Sequence, residues 1–172
     1  SRWRPEVFIP ASMRGRLALA LLLAGTPLAP AALGWPRCAN DSSCLFTSSS
    51  LLPFNGLRDD GVILLSVVSY VFNVTKAPHY YRKGSGSYEY LAGRDASRVL
   101  ATMSMEDDDA SSQLLSDLDE DQWETLFDWV DKYQVRYPLV GRLVDWQPNV
   151  SYEDLNKRSG FSLRPPPPTD EL

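Results

Sequence analysis

Histidine is almost missing from this chain: His79 stands alone among 172 residues. Cysteine is nearly as scarce, with only Cys38 and Cys44, so two thiols and one distant imidazole cannot close a tetrahedral metal shell. No nucleophile–base pair, phosphate-cradling loop or metal triad is present either, and a non-enzymatic role is expected. Seventeen Lys and Arg against 22 Asp and Glu give a net charge of -5, without a basic stripe to neutralise phosphates. Nucleic acid is thereby excluded as a partner, and a basic protein surface is the better electrostatic match. The apolar run Leu17–Ala24 falls well short of the ~20 residues that cross a bilayer, and Pro27 and Pro30 interrupt its extension.

What is present at the ends reads as addressing. Met13-Arg14-Gly15-Arg16, the Leu/Ala run and the small residues up to Ala32-Leu33-Gly34 form a positive, apolar and cleavable series. Residues 1–34 are therefore expected to comprise an upstream extension and a signal peptide starting at Met13. At the other end Pro165–Pro168 impose extended polyproline and present Thr169-Asp170-Glu171-Leu172, which resembles a retrieval signal. The expected location is the endoplasmic reticulum lumen, with a secreted fraction as the alternative. In that oxidising compartment Cys38 and Cys44 are expected to close a small disulfide loop within residues 35–44. Sequons occur at Asn40, Asn73 and Asn149; Asn73 falls at a strand end, leaving Asn40 and Asn149 as the expected glycan acceptors.

Between the ends, 44% hydrophobic content suffices for one core. Thr47 or a following serine can cap a short helix that Pro53 and Asn55-Gly56 end. Val62–Val68 and Tyr70–Val74 are β-branched runs separated by a very short break, which predicts a hairpin. A helix is expected from about Asp95 to Thr102, followed by a solvated acidic insertion around Glu106–Asp109. Asp119 with Gln122 forms a capping box before a helix whose Trp123, Leu126, Phe127, Val130 and Tyr133 repeat at helical period. That stripe, and Trp129 beside it, reads as core. Leu139–Val144 reads as a last strand closing the sheet, and residues 145–172 as a disordered proline-rich tail.

The tyrosines carry the sharpest signal. Tyr80-Tyr81 and Tyr88-Glu89-Tyr90-Leu91 flank Gly84-Ser85-Gly86-Ser87 and run into Ala92-Gly93-Arg94-Asp95-Ala96-Ser97-Arg98. With Val71–Thr75 before it and Tyr137–Leu143 after it, this stretch resembles the membrane-associated progesterone receptor family, particularly its neudesin-like secretory members. The resemblance covers residues 45–144 and implies an α+β, cytochrome b5-like heme/steroid-binding domain, a small sheet with helices forming a pocket.

It also implies a chemistry. Ordinary cytochrome b5 domains grip haem between two histidines, which this chain cannot supply. The family pattern instead places an axial tyrosine at Tyr88, so ferric b-type heme would be held through a phenolate. Tyr81 matches a second pocket tyrosine, although a longer intervening loop leaves Tyr80 as an alternative, and Tyr90 is a competing phenol. Arg136 and Tyr137 match a basic–tyrosine pair at the haem edge, where the planar guanidinium suits a propionate. One axial ligand would leave a haem face open for a homodimer or a second protein. Alternative uses of the same pocket are a steroid or lipid carrier, or an interaction adaptor for membrane enzymes of the reticulum or for a client protein.

Overall fold

The protein is seen in a computed structural model that describes residues 45–166. The expected signal peptide, the expected Cys38–Cys44 disulfide, Asn40 and the terminal tetrapeptide lie outside the described residues.

Strands β2 (Leu64–Val67) and β3 (Tyr70–Asn73) form the expected hairpin, with Leu64 opposite Asn73 and Val67 opposite Tyr70. Both connecting residues, Val68 and Ser69, are left-handed, at φ 50° and 64°. That handedness matches the twist of the flanking strands, but a β-branched valine adopts it reluctantly. Neighbouring groups hold it there. The Val68 N–H donates to Ser97 Oγ at 2.7 Å, and Ser69 Oγ accepts from Arg142 Nη2 at 2.7 Å.

Strand β4 (Leu139–Leu143) runs antiparallel to β3 with a bulge at Val71/Phe72, and β1 (Leu45–Phe46) pairs parallel to β4. The sheet order is β1-β4-β3-β2, so β4 lies inside the sheet rather than closing it. Beside β1, the short helix α1 (Ser48–Leu51) is capped by Thr47, in a capping box completed by Ser50. The Ser48 N–H also donates to both oxygens of Asp145, at 2.8 and 2.9 Å. On the opposite edge, residues 93–96 bond along β2: Gly93 N–H to Leu64 O, Ser66 N–H to Arg94 O, Ala96 N–H to Ser66 O. This covers an edge that would otherwise present unpaired backbone groups.

One face of the sheet is packed by helices. Helix α2 (Pro78–Tyr81) and α3 (Ser97–Thr102) flank the long α5 (Glu120–Arg136), with α4 (Asp107–Ser111) outside. Asp119 and Gln122 cap α5 reciprocally, and its buried residues are the stripe Trp123, Leu126, Phe127, Val130 and Tyr133. Burial of five such side chains contributes on the order of 10 kcal/mol before entropy is charged against it. The Phe72 and Tyr133 rings, 5.6 Å apart, join this helix to β3.

The acidic insertion is less solvated than expected. Arg98 on α3 donates to Asp109 at 2.6 Å, to Asp117 at 2.7 and 2.9 Å, and to Leu114 O at 2.7 Å. Residues 104–118 are thus tied down by one guanidinium fork.

Disorder from residue 145 does not describe residues 145–166. Helix α6 (Tyr152–Ser159) is capped by Ser151, whose hydroxyl accepts from the Asp154 N–H, and it ends at left-handed Gly160. Trp146, Leu155 and Leu163 are buried. Arg142, itself fully buried, donates to Ser69 Oγ, to Tyr152 OH and in a short bond to Arg164 O. Its guanidinium lies 3.9 Å over the Tyr70 ring. A polar segment with few apolar residues is held because each of them lands in the core and its backbone meets a buried cation.

Among the described residues no helix is long and apolar enough to cross a membrane.

Candidate functional site

The two tyrosine clusters are brought together by the glycine loop between them. Gly86 N–H donates to Arg82 O at 2.7 Å, Ser87 N–H to His79 O at 3.3 Å and Tyr88 N–H to Tyr80 O at 2.6 Å, folding the loop back over α2. A Cβ at Gly86 would stand 2.5 Å from the Tyr80 carbonyl oxygen, so a side chain there would push the two segments apart. The Gly84–Ser87 loop is therefore a hydrogen-bonded clamp. It places the Tyr88 ring 6.1 Å from that of Tyr80, and the 3-10 helix Glu89–Leu91 then turns Tyr90 alongside.

The result is a cleft. Tyr81, Tyr88, Tyr90 and Leu91 form one wall; Val99 and Leu100 of α3 with Met103 and Met105 form the second; Trp129 and Tyr133 of α5 form its base. The cleft's volume is only about 50 Å³, whereas cavities that swallow a small ligand run to ~300–1,000 Å³. A larger planar molecule would lie across the mouth, against the exposed side chains of Met103 and Met105, which are 52% and 63% accessible.

Four phenols line this cleft but they are not equivalent. Tyr81 OH and Tyr133 OH share a buried hydrogen bond of 3.0 Å. Burial, followed by their proximity to one another, pushes the Tyr81 phenol far above its ordinary value. Burial does the same to Tyr133, against the opposing effect of the Tyr81 bond. Both stay neutral, each serving as the other's partner. The Tyr90 phenol is raised too, by burial first and then by Tyr88 beside it. Tyr88 is half-buried, and among the described residues no protein group hydrogen-bonds its hydroxyl. An available phenol oxygen on an apolar wall suits ferric iron, a hard cation that an anionic oxygen donor satisfies.

The remaining anticipated residues sit as follows. Tyr81, not Tyr80, enters the cleft; Tyr80 is 40% exposed, with the His79 ring 4.0 Å away. Tyr137 is half-buried, its ring 6.1 Å from Tyr81 and 5.3 Å from Tyr133, behind the cleft rather than lining it. Arg136 is exposed on the last turn of α5 and is not a lining residue. Among the described residues no group of three or more His, Cys, Asp or Glu could hold a metal ion.

Trp129, Tyr133, Met103 and Met105 belong to the site although sequence reading put the first two in the core and passed over the methionines. Trp129 and Tyr133 stand four apart on one face of α5, a spacing shared by packing surfaces and by pocket walls. Two methionines two residues apart beyond a helix end were the available clue, since flexible thioethers often line adaptable binding surfaces.

The motif Ala92–Arg98 proves architectural. Gly93 has φ 74° and packs on the Leu52 carbonyl, Arg98 holds the 104–118 segment, and Ser97 Oγ accepts from Val68 N–H while donating to Asp95 Oδ1 at 3.0 Å. Asp95 Oδ2 accepts from the Trp146 indole at 3.2 Å, and burial pushes the Asp95 carboxyl up to about 6 despite these bonds.

No protein-family model matches the chain. It is 39% identical over 99 residues to probable steroid-binding protein 3 of Arabidopsis thaliana, covering 58% of this chain and 97% of that one. It is also 39% identical over 101 residues to human membrane-associated progesterone receptor component 2, covering 58% of this chain and 44% of that protein. The chain thus spans nearly all of the plant relative and less than half of the human one. A solved Arabidopsis thaliana structure described as having a cytochrome b5-like fold aligns with a TM-score of 0.52 at 39% identity, over 59% of this chain and 91% of that one. The α+β arrangement here, a four-stranded sheet packed by helices, is of that cytochrome b5-like kind.

Proposed function

Because the chain belongs to the membrane-associated progesterone receptor family, we propose that it is a non-enzymatic heme-binding module of the secretory pathway, holding ferric heme through the Tyr88 phenolate. The observation that carries this is the inequality of the phenols: Tyr81 and Tyr133 are committed to each other, whereas the Tyr88 hydroxyl has no protein partner among the described residues. A bound haem would supply a ferric centre stabilised over the ferrous state by an anionic oxygen. Tyr88 would hold it, Tyr81 would stay neutral and orient a ligand oxygen, and Arg136, exposed outside the cleft, would reach the acidic edge only from solvent, with Tyr137 supporting Tyr81 and Tyr133 from behind. The apolar side chains of Leu91, Val99 and Leu100 would keep water from one face. The expected signal and retrieval sequences support a location in the reticulum lumen.

A steroid carrier is the second reading. It is favoured by the predominantly apolar cleft and by a plant relative named for steroid binding.

Titration of the protein with ferric haem, read by absorption and repeated with Tyr88→Phe, tests the first reading. A phenolate charge-transfer band present in the parent and absent in the variant is expected. Absence of saturable uptake by the parent would sink haem binding, and saturable sterol binding by that same protein would establish the carrier.

A further inference from the structure

We propose that a second cleft, between α1, residues 83–94 and α4, binds a small amphipathic carboxylate on Lys83 and Arg94. This cleft measures about 390 Å³, within the ~300–1,000 Å³ of small-ligand sites and far larger than the tyrosine cleft. Leu52, Tyr90 and Ala110 give it apolar surface, and Lys83 and Arg94 give it positive charge.

Several features make the charge usable. Among the described residues neither Lys83 nor Arg94 has a carboxylate within ion-pair distance. Glu89 lines the same cleft, but its carboxylate is engaged by the Gly84 N–H in a short bond. Glu89 keeps its charge, so Lys83 and Arg94 outnumber it by one, leaving a local positive excess in this cleft on a chain of net charge -5. Their backbones are also fixed: Lys83 N–H donates to Asn55 O at 3.0 Å, and Arg94 O accepts from Ser66 N–H at 2.8 Å. A guanidinium fork on a pinned backbone matches a carboxylate in two parallel hydrogen bonds, with the lysine as a second point charge. The apolar surface then accepts a short alkyl or ring body. A fully hydrated inorganic anion would leave that surface unused.

Tyr90 lines both this cleft and the tyrosine cleft, so the 3-10 helix is their common wall. Neither Lys83 nor Arg94 lines the tyrosine cleft, so the charge of the second site is separate from Tyr88.

The test is an amide-resolved NMR titration of the protein with octanoate, using octanol as the uncharged twin. Saturable octanoate shifts at Leu52, Ala92 and Ala110 are expected, with no comparable effect of octanol. Lys83→Gln with Arg94→Gln should weaken octanoate by about tenfold or more, as expected for loss of charge-assisted bonds. Lys83→Arg with Arg94→Lys keeps both charges and should stay within about threefold of the parent, which separates charge from any folding effect. Tyr88→Phe should leave octanoate binding unchanged. Equal binding of octanol, shifts confined to Val99 and Leu100, or an unaltered affinity in the Gln pair would each overturn the proposal.

Discussion

Replacing Gly93 with alanine should be among the most damaging small substitutions available in this chain, and its cost can be divided into two parts. Gly93 is left-handed, φ 74°, which an L residue enters at about 1–2 kcal/mol. The second part is a collision: the added Cβ would stand 2.6 Å from Leu52 O and 3.1 Å from Leu52 C and Cα. None of those atoms is the end of a flexible side chain. Relief requires moving the end of α1 or loosening the Gly93 N–H bond to Leu64 O, 2.7 Å long, and overpacking of this kind costs about 1–3 kcal/mol. The sum is about 2–5 kcal/mol, a large share of a typical domain's stability. Gly61→Ala is the internal control, since Gly61 is also left-handed, φ 65°, but has nothing within 4 Å of the built Cβ. Only the first part, about 1–2 kcal/mol, should appear there. Urea unfolding of the two variants against the parent, with a common slope, gives both numbers. If Gly93→Ala falls within about 0.5 kcal/mol of Gly61→Ala, the surrounding structure gives way freely and the close packing on Leu52 does not constrain this position.

Asp95 makes stability fall as pH rises. Its folded-state carboxyl titrates at about 6 against 3.8 unexposed to burial, so the folded state binds the proton more tightly, and this stabilisation, complete below pH 4, is lost between pH 4 and 6. The gap of about two units corresponds to about 3 kcal/mol, and the stability difference between parent and Asp95→Asn should change by roughly that amount from pH 4 to 7; a pH-independent difference would contradict the assignment. Arg98→Lys keeps the charge but loses the fork that reaches Asp109, Asp117 and Leu114 O together; a loss of about 1–2 kcal/mol is expected, with faster limited proteolysis within residues 104–118, and unchanged proteolysis would count against the tether. Expressed through a secretory host, the protein should carry a glycan at exposed Asn149, detected as a mobility shift absent in Asn149→Asp; aspartate is the right replacement because Asn149 is left-handed, φ 56°, and an unshifted parent would remove this acceptor.

Local signals were legible where one residue pattern had one geometric meaning. The Asp119–Gln122 capping box and the Trp123 to Tyr133 stripe located α5, and two β-branched runs located the hairpin. The position of β4 was not legible, because its neighbour β1 spans only Leu45–Phe46 and two residues carry no period. The 145–166 segment was missed for a related reason: Trp146, Leu155 and Leu163 are spaced too widely to register as an apolar face, and the cation that receives Tyr152 and Arg164 O lies on another element. At the site, the tyrosine spacing drew attention to Tyr81 and Tyr88. It could not reveal that Tyr133, fifty-two positions from Tyr81, completes a hydrogen bond with it. The Gly93 motif carries the family resemblance, and its spacing does not show that its atoms brace the sheet edge.

The parallel pairing of β1 with β4 sets a timetable for the protein as it is made. Ser48 waits for Asp145, 97 positions later in the chain, which at ~5–20 residues per second of synthesis is a delay of about 5–20 s. During that interval the β2–β3 hairpin exists with the β3 flank unpaired, an adhesive edge of the kind that recruits stray strands. Closure of the sheet is therefore a late, long-range event, and contacts of that separation slow folding more than the local ones that form α5.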